Sequence, residues 1–172
     1  MVRPRAMSAR TSVEADVQAV YAAEYPRLAG WTTKLVGDPD LAHDLATEAF
    51  VRLIDRSDTV GEPRAWLYTC VGNQVKDHWR KRERESRAYR TFEASGLTDA
   101  QRPASTDQAS ALTVRGAVES LPNRLRMPVL LHYFADLTVA QVARQLGMSD
   151  GTVKRYLFEA RAMLAPLVEG VR

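Results

Sequence analysis

Apolar residues fall at Val13, Val17, Val20, Tyr21, Leu28, Trp31 and Leu35, a three-to-four spacing that predicts a helix. Pro26 lies inside that pattern and predicts a kink, or a new helix starting there. The run Gly37-Asp38-Pro39-Asp40 predicts a helix start, with Asp38 as cap and Pro39 in the first turn. From there Leu41, Leu45, Ala49 and Leu53 line one face. Glu62 and Pro63 open a third helix, with Leu67, Val71 and Val75 inward. The run VLLHYF over residues 129–134 has the periodicity of a buried strand, but its flanks favour helix. No segment reads convincingly as a strand, so the expected fold is all-α.

The most specific pattern lies near the C-terminus. In TVAQVARQLGMSDGTVKRYLFEARAML, Val139, Val142, Ala143 and Leu146 give a short helix an apolar face. Ala143 is small where a second helix must cross closely. Gly147 ends the first helix through a left-handed backbone, and Ser149 caps the next. Val153 and Leu157 then pack back on the first helix. Two short helices joined by a glycine turn form a helix-turn-helix, whose second helix suits a major groove. Two packed helices with no DNA role remain the alternative.

Between the helical zones, residues 92–111 are rich in Ser, Thr, Ala and Asp and nearly free of large apolar side chains. Such a stretch buries too little to offset its ordering entropy and reads as a flexible linker. The expected organisation is a disordered N-terminus over 1–11, a helical domain over 12–91, the linker, and a helix-turn-helix domain over 112–172. Length, at 172 residues, permits two small helical domains. The net charge of +3 is mildly basic and permits nucleic acid without implying it. One cysteine, Cys70, excludes an internal disulfide and a multi-thiolate zinc site, and fits a reducing cytosol. Cys70 itself reads as a buried small hydrophobe. No apolar run is long enough for a membrane span, and no signal peptide follows the basic N-terminus.

The third helix continues into VGNQVKDHWRKRERESRAYR. Lys76, Arg80 and Arg84 lie four apart on one face, and Lys81, Arg82, Arg87 and Arg90 widen it. Trp66, Tyr68 and Trp79 are interleaved. Cations neutralise phosphates and aromatic faces stack on bases. A solvated helical face with the tryptophans in the core explains the same residues. The second helix carries Asp40, Asp44, Glu48 and Asp55, with His43 beside them. His43 and Asp44 suggest a metal site, but neighbours on a helix diverge by about 100° and no further histidine cluster supplies ligands. A solvated or docking surface is the simpler reading. No nucleophile elbow, phosphate loop or dinucleotide fingerprint is present, so neither catalytic residues nor a cofactor is expected.

Taken together, the stretches YPRLAGWTTKLVGDPDLAHDLATEAFVRL and PRAWLYTCVGNQVKDHWRKRER resemble region 2 of an extracytoplasmic-function (group IV) RNA polymerase sigma factor of the sigma-70 family. LPNRLRMPVLLHYFADLTVAQVARQLGMSDGTVKRYLFEARAML resembles region 4. The order of the two, with a polar linker between them, is more specific than either alone. The resemblance implies a non-enzymatic, cytoplasmic promoter-specificity subunit. Its partners would be core RNA polymerase, promoter DNA and, by family analogy, an anti-sigma factor. The alternative is a stand-alone helix-turn-helix repressor whose first domain binds a ligand or partner.

The resemblance also assigns roles. It places Asp44, Leu45, Glu48, Phe50 and Leu53 in the segment that docks on core polymerase, with Thr47 where the family usually has Gln. It places Ser57, Asp58, Thr59, Asn73, Lys76, Asp77, Arg80 and Arg84 at the −10 element. Ser149, Thr152, Lys154, Arg155, Phe158 and Arg161 fall at the −35 element. Glu159 stands where the family frequently has a basic residue; it would accept from a cytosine amine or pair with Arg155.

Overall fold

The computed structural model describes residues 5–94 and 114–169, and every element in them is helical. Helix α1 spans Arg5–Val36, α2 Pro39–Asp55 and α3 Pro63–Ala94. The expected disorder over residues 1–11 is corrected from residue 5 onward, because α1 begins at Arg5. No Gly or Pro interrupts residues 5–25, and strong helix formers dominate them. Pro26 does not start a new helix: α1 runs through it to Val36. The proline removes a single N–H from the ladder, and the turns on both sides hold.

Gly37 ends α1 with φ 74, and its N–H bonds the Thr33 carbonyl at 2.8 Å. Asp38 then caps α2, accepting from the N–H groups of Asp40 (3.0 Å) and Leu41 (3.1 Å). The Asp38 cap matches the sequence expectation. The buried stripe of α2 matches in part: Ala49 and Leu53 lie in it as expected, Leu41 and Leu45 do not. It consists of Ala42, Ala46, Ala49, Phe50 and Leu53, with Leu41 and Leu45 half-buried at its edge. Three alanines let α1 and α2 approach closely, so the smaller side chains take the seam. In α3, Leu67, Val71 and Val75 are fully buried, as predicted. Trp79 closes the first unit: its indole N–H donates to the Leu35 carbonyl at 3.1 Å.

The second unit comprises α4 (Val114–Ser120), α5 (Asn123–Val129), α6 (Val139–Leu146) and α7 (Asp150–Glu169). After α5 the chain widens into a π-helical turn over Leu130–Phe134. VLLHYF is therefore helical, and Leu130 and Leu131 are core. Asp136 reverses the chain at φ 54, and Leu137 N–H bonds the Leu131 carbonyl at 3.0 Å.

The two units touch. Arg64 of α3 donates to the Ala135 carbonyl at 2.6 Å, and Arg144 of α6 pairs with Glu62 at 2.5 Å. Met127 of α5 lies over Gly72 of α3, where a β-carbon would sit 2.9 Å from its methyl group. Helix α3 reaches Ala94, three residues past the expected domain boundary. The remainder of the expected linker lies outside the described residues.

Candidate polymerase and nucleic-acid surfaces

Three surfaces carry the residues singled out by sequence. The first is the outer face of α2. Asp44 and Glu48 stand one turn apart and are exposed, with Glu48 paired to Arg52. Phe50 and Leu53 are buried at 4% and 1% exposure, so they support this face from behind and do not form it. Leu45 is half-buried. The apolar part of the outer face is instead Val51 and Ile54, both more than half exposed. Sequence reasoning missed them, although Val51 lies three residues after Glu48 and the i, i+3 spacing was legible. His43 is held by the Tyr25 hydroxyl at 3.1 Å, and that hydroxyl also meets Thr47 at 3.0 Å. His43 is thus tied to an aromatic group in which Tyr21, Tyr25 and Phe50 touch.

The second surface runs along α3. Asn73, Asp77, Arg80 and Arg84 are exposed on one face with the half-buried Lys76. Arg80 lies 3.5 Å from Asp77, and the Lys76 ammonium 3.5 Å from the Asn73 amide oxygen, both loose contacts. The aromatics divide. Tyr68 and Trp79 are core, whereas Trp66 is half-buried. Trp79 therefore follows the packing alternative and Trp66 does so in part, and the buried Tyr68 and Trp79 offer no stacking face.

The loop after α2 folds on itself: the Ser57 hydroxyl donates to Ile54 carbonyl and the Thr59 hydroxyl to Arg56 carbonyl, each at 3.0 Å. Asp58 is exposed beside them. A cavity of about 190 Å³ lies behind the loop, with Val17, Val20, Leu53, Val60 and Ser57 in its wall. Asp58 and Thr59 are not part of that wall. Cys70 is half-buried and edges a cleft of about 480 Å³ shared by Arg52, Arg56, Asn73 and Gln145 of α6. Burial pushes its thiol pKa up, against the nearby guanidinium of Arg52.

The third surface is the helix-turn-helix. Thr138 and Gln141 form a capping box at the start of α6. Gly147 closes α6 at φ 63, and Met148 N–H returns to the Ala143 carbonyl at 2.9 Å. The Ser149 hydroxyl oxygen accepts from Thr152 N–H at 3.1 Å and also meets the Thr152 hydroxyl at 2.9 Å. Val153 and Leu157 are buried, so Lys154, Arg155, Phe158 and Arg161 are turned outward. Phe158 is 69% exposed, more than any other large apolar side chain among the described residues. Glu159 does not pair with Arg155. Its carboxylate takes Arg124 of α5 at 3.0 Å, and Arg155 lies over the Tyr156 ring at 5.4 Å.

Geometry thus defines a DNA-binding regulator: a helix-turn-helix with an outward cationic helix, joined to a bundle with one acidic and one basic face. Comparison with known proteins narrows the class. The Sigma-70 region 2 model matches residues 20–85, and the Sigma-70, region 4 model matches residues 111–164. The RNA polymerase sigma-E factor of Streptomyces avermitilis is 32% identical over 140 residues, covering 79% of this chain and 75% of its own. The ECF RNA polymerase sigma factor SigL of Mycobacterium tuberculosis is 27% identical over 175 residues, covering 96% of each chain. In fold, the chain is similar to the sigma factor RpoE of Bartonella quintana, solved in complex with the anti-sigma factor NepR. That match has a TM-score of 0.62 at 22% identity, over 91% of this chain and 99% of that one. CnrH, solved with the cytosolic domain of CnrY, matches with a TM-score of 0.64 at 21% identity, over 97% and 96% of the two chains.

The chain belongs to the sigma-70 family of RNA polymerase sigma factors, in its extracytoplasmic-function group. It is an alternative sigma factor that directs transcription initiation; the stand-alone repressor is not favoured, because the region 2 match accounts for the first unit. Among the described residues no helix is long and apolar enough to cross a membrane.

Proposed function

We propose that the three surfaces divide the work of a non-enzymatic, cytoplasmic promoter-specificity subunit. Asp44 and Glu48, flanked by Val51 and Ile54, dock on a basic surface of core polymerase; Phe50 and Leu53 hold that face rigid from within. Asn73, Lys76, Asp77, Arg80 and Arg84 engage the opened −10 strand. Separating a base from its stack costs a few kcal/mol, and cations along the strand offset part of it. The loop at Ser57, Asp58 and Thr59, with the cavity behind it, receives the displaced base. Helix α7 reads the −35 element through Lys154, Arg155 and Arg161, with Ser149 and Thr152 at its N-terminus facing a phosphate. Phe158 supplies an apolar contact to a thymine methyl. The relative RpoE, solved with an anti-sigma factor, makes a separate anti-sigma chain the expected inhibitor.

The observation that carries this reading is the presence, in one chain, of an exposed acidic face on α2, a basic face on α3 and an outward cationic α7. Reconstituted transcription tests it. With sigma-free core polymerase and a genomic promoter library, transcript starts should share two upstream elements. Lys76→Glu with Arg80→Glu should abolish starts while core binding persists; Asp44→Lys with Glu48→Lys should abolish core binding itself. Starts that survive both pairs would overturn the assignment.

A further inference from the structure

Beyond Trp79, residues 80–92 of α3 are solvent-exposed, and the helical period sorts their arginines into two sets. Arg80, Arg84 and Arg87 continue the face of Asn73 and Lys76. Arg82 lies roughly 160° from the centre of that face and Arg90 roughly 80°, both on the side of Trp79 and Ser86. They do not widen the −10 face, as sequence alone suggested. They look instead across a cleft of about 290 Å³ toward Arg115 of α4 and Arg126 of α5.

Four guanidinium groups, two from each unit, thus edge one cleft that holds two carboxylates, Glu83 and Glu119. Glu83 is taken by Arg87 on the neighbouring face, and Glu119 by Arg115 at 3.0 Å. Arg126 donates to the carbonyls of Leu121 (2.8 Å) and Glu119 (2.6 Å), which fix it without neutralising it. Arg90 donates to the carbonyl and hydroxyl of Ser86, each at 3.3 Å. Arg82, Arg90 and Arg126 therefore have no carboxylate partner among the described residues. The field reaches His78: burial first, then Arg82 and Arg115, hold its imidazole below the usual range.

We propose that this cleft binds a small anion with an extended phosphate chain, and that the bound anion holds the two units together. Guanidinium forks match phosphate oxygens, and three guanidinium groups without a carboxylate partner among the described residues favour a multiply charged ligand. Arg82 and Arg90 are eight residues apart, about 12 Å along the axis. That separation suits two or three linked phosphates better than one. The regulatory consequence rests on the sigma-factor reading. The −35 and −10 elements are about 25 base pairs apart, or roughly 85 Å of duplex. A chain whose α3 touches α6 cannot cover both, so the units part on the promoter. A ligand that needs both walls of the cleft opposes that parting, by linkage.

Calorimetry of the full chain with inorganic tripolyphosphate tests the site. One molecule should bind per chain. Arg82→Ala with Arg90→Ala should weaken binding at least tenfold with an unchanged melting temperature, whereas Lys76→Ala with Arg80→Ala should change it less than twofold. Equal losses from both pairs, or monophosphate binding as tightly, would overturn the proposal. ATP and GTP as titrants separate a nucleotide from a free phosphate chain, according to whether a base tightens binding. In reconstituted transcription at constant free magnesium, tripolyphosphate should inhibit the wild type several-fold more than the Arg82/Arg90 variant. Equal inhibition removes the regulatory role. Absence of promoter-specific starts from any variant would instead count against the sigma-factor reading, while calorimetry still decides the site.

Discussion

Arg64 reaches the Ala135 carbonyl at 2.6 Å from the start of α3, 71 residues earlier in the chain. The same guanidinium lies 3.5 Å from Glu24 of α1 and over the ring of Tyr68 at 5.2 Å. One side chain therefore ties α1, α3 and the turn after α5. Arg64→Ala should cost about 2 kcal/mol, because a charge-assisted bond is lost and the largely buried Glu24 carboxylate loses its cation. Arg64→Lys should restore only part, since an ammonium cannot fork between carbonyl and carboxylate. Urea denaturation reads both; an unchanged midpoint in the alanine variant contradicts the account.

Gly72 and Met127 make a second test of the junction. An alanine at 72 gains about 1 kcal/mol of helix propensity. Its β-carbon, however, meets the Met127 methyl at 2.9 Å and sulfur at 3.2 Å, contacts that force the methionine aside. Gly72→Ala should be nearly neutral in the wild type and stabilising by about 1 kcal/mol in a Met127→Ala background. A double-mutant cycle with no coupling would mean that the two units do not meet here in solution.

Gly147 carries the turn of the helix-turn-helix by conformation alone. Nothing lies within 4 Å of a β-carbon built there, yet φ is 63. Gly147→Ala should therefore destabilise the second unit by about 1–2 kcal/mol through backbone strain. Ser149→Ala should cost about 1 kcal/mol through loss of the cap. Thermal unfolding followed by circular dichroism separates the two from Gly30→Ala, also with open space around it but inside α1.

The His78 imidazole has a lowered pKa in the folded chain, from burial first and from Arg82 and Arg115 second. The unfolded chain then binds more protons in the same range, so stability falls as pH drops through about 6.5. His78→Gln should flatten the decline in melting temperature between about pH 7 and pH 5. Parallel curves for the two proteins would assign the decline to other groups.

Local signals in the sequence proved the most transferable. Asp38, Gly147 and Ser149 act within a few residues of themselves, so their roles were legible before any tertiary contact. Leu67, Val71 and Val75 followed helical period into the core for the same reason. What failed depended on neighbours distant in sequence. Leu41 and Leu45 yielded the seam to Ala42 and Ala46, because closeness of α1 decides which residues fit. Phe50 and Tyr68 were drawn inward by aromatic partners on α1. Glu159 left its i−4 neighbour Arg155 for Arg124, 35 residues earlier. Arg82 and Arg90 merged with the basic face of α3 in sequence, since the arginines opposing them belong to another unit.

The overhang of α3 has a mechanical consequence. Residues 80–94 extend the helix about 22 Å past its last core anchor, Trp79. The 19 residues from 95 to 113 add at most about 65 Å of contour length. On the proposed reading, this helix extension and a fully extended 95–113 segment would span at most about 87 Å, just over the roughly 85 Å between the two promoter elements. Chain length itself then becomes a ruler. Each helical turn removed from the extension would shorten the permitted spacer by more than one base pair.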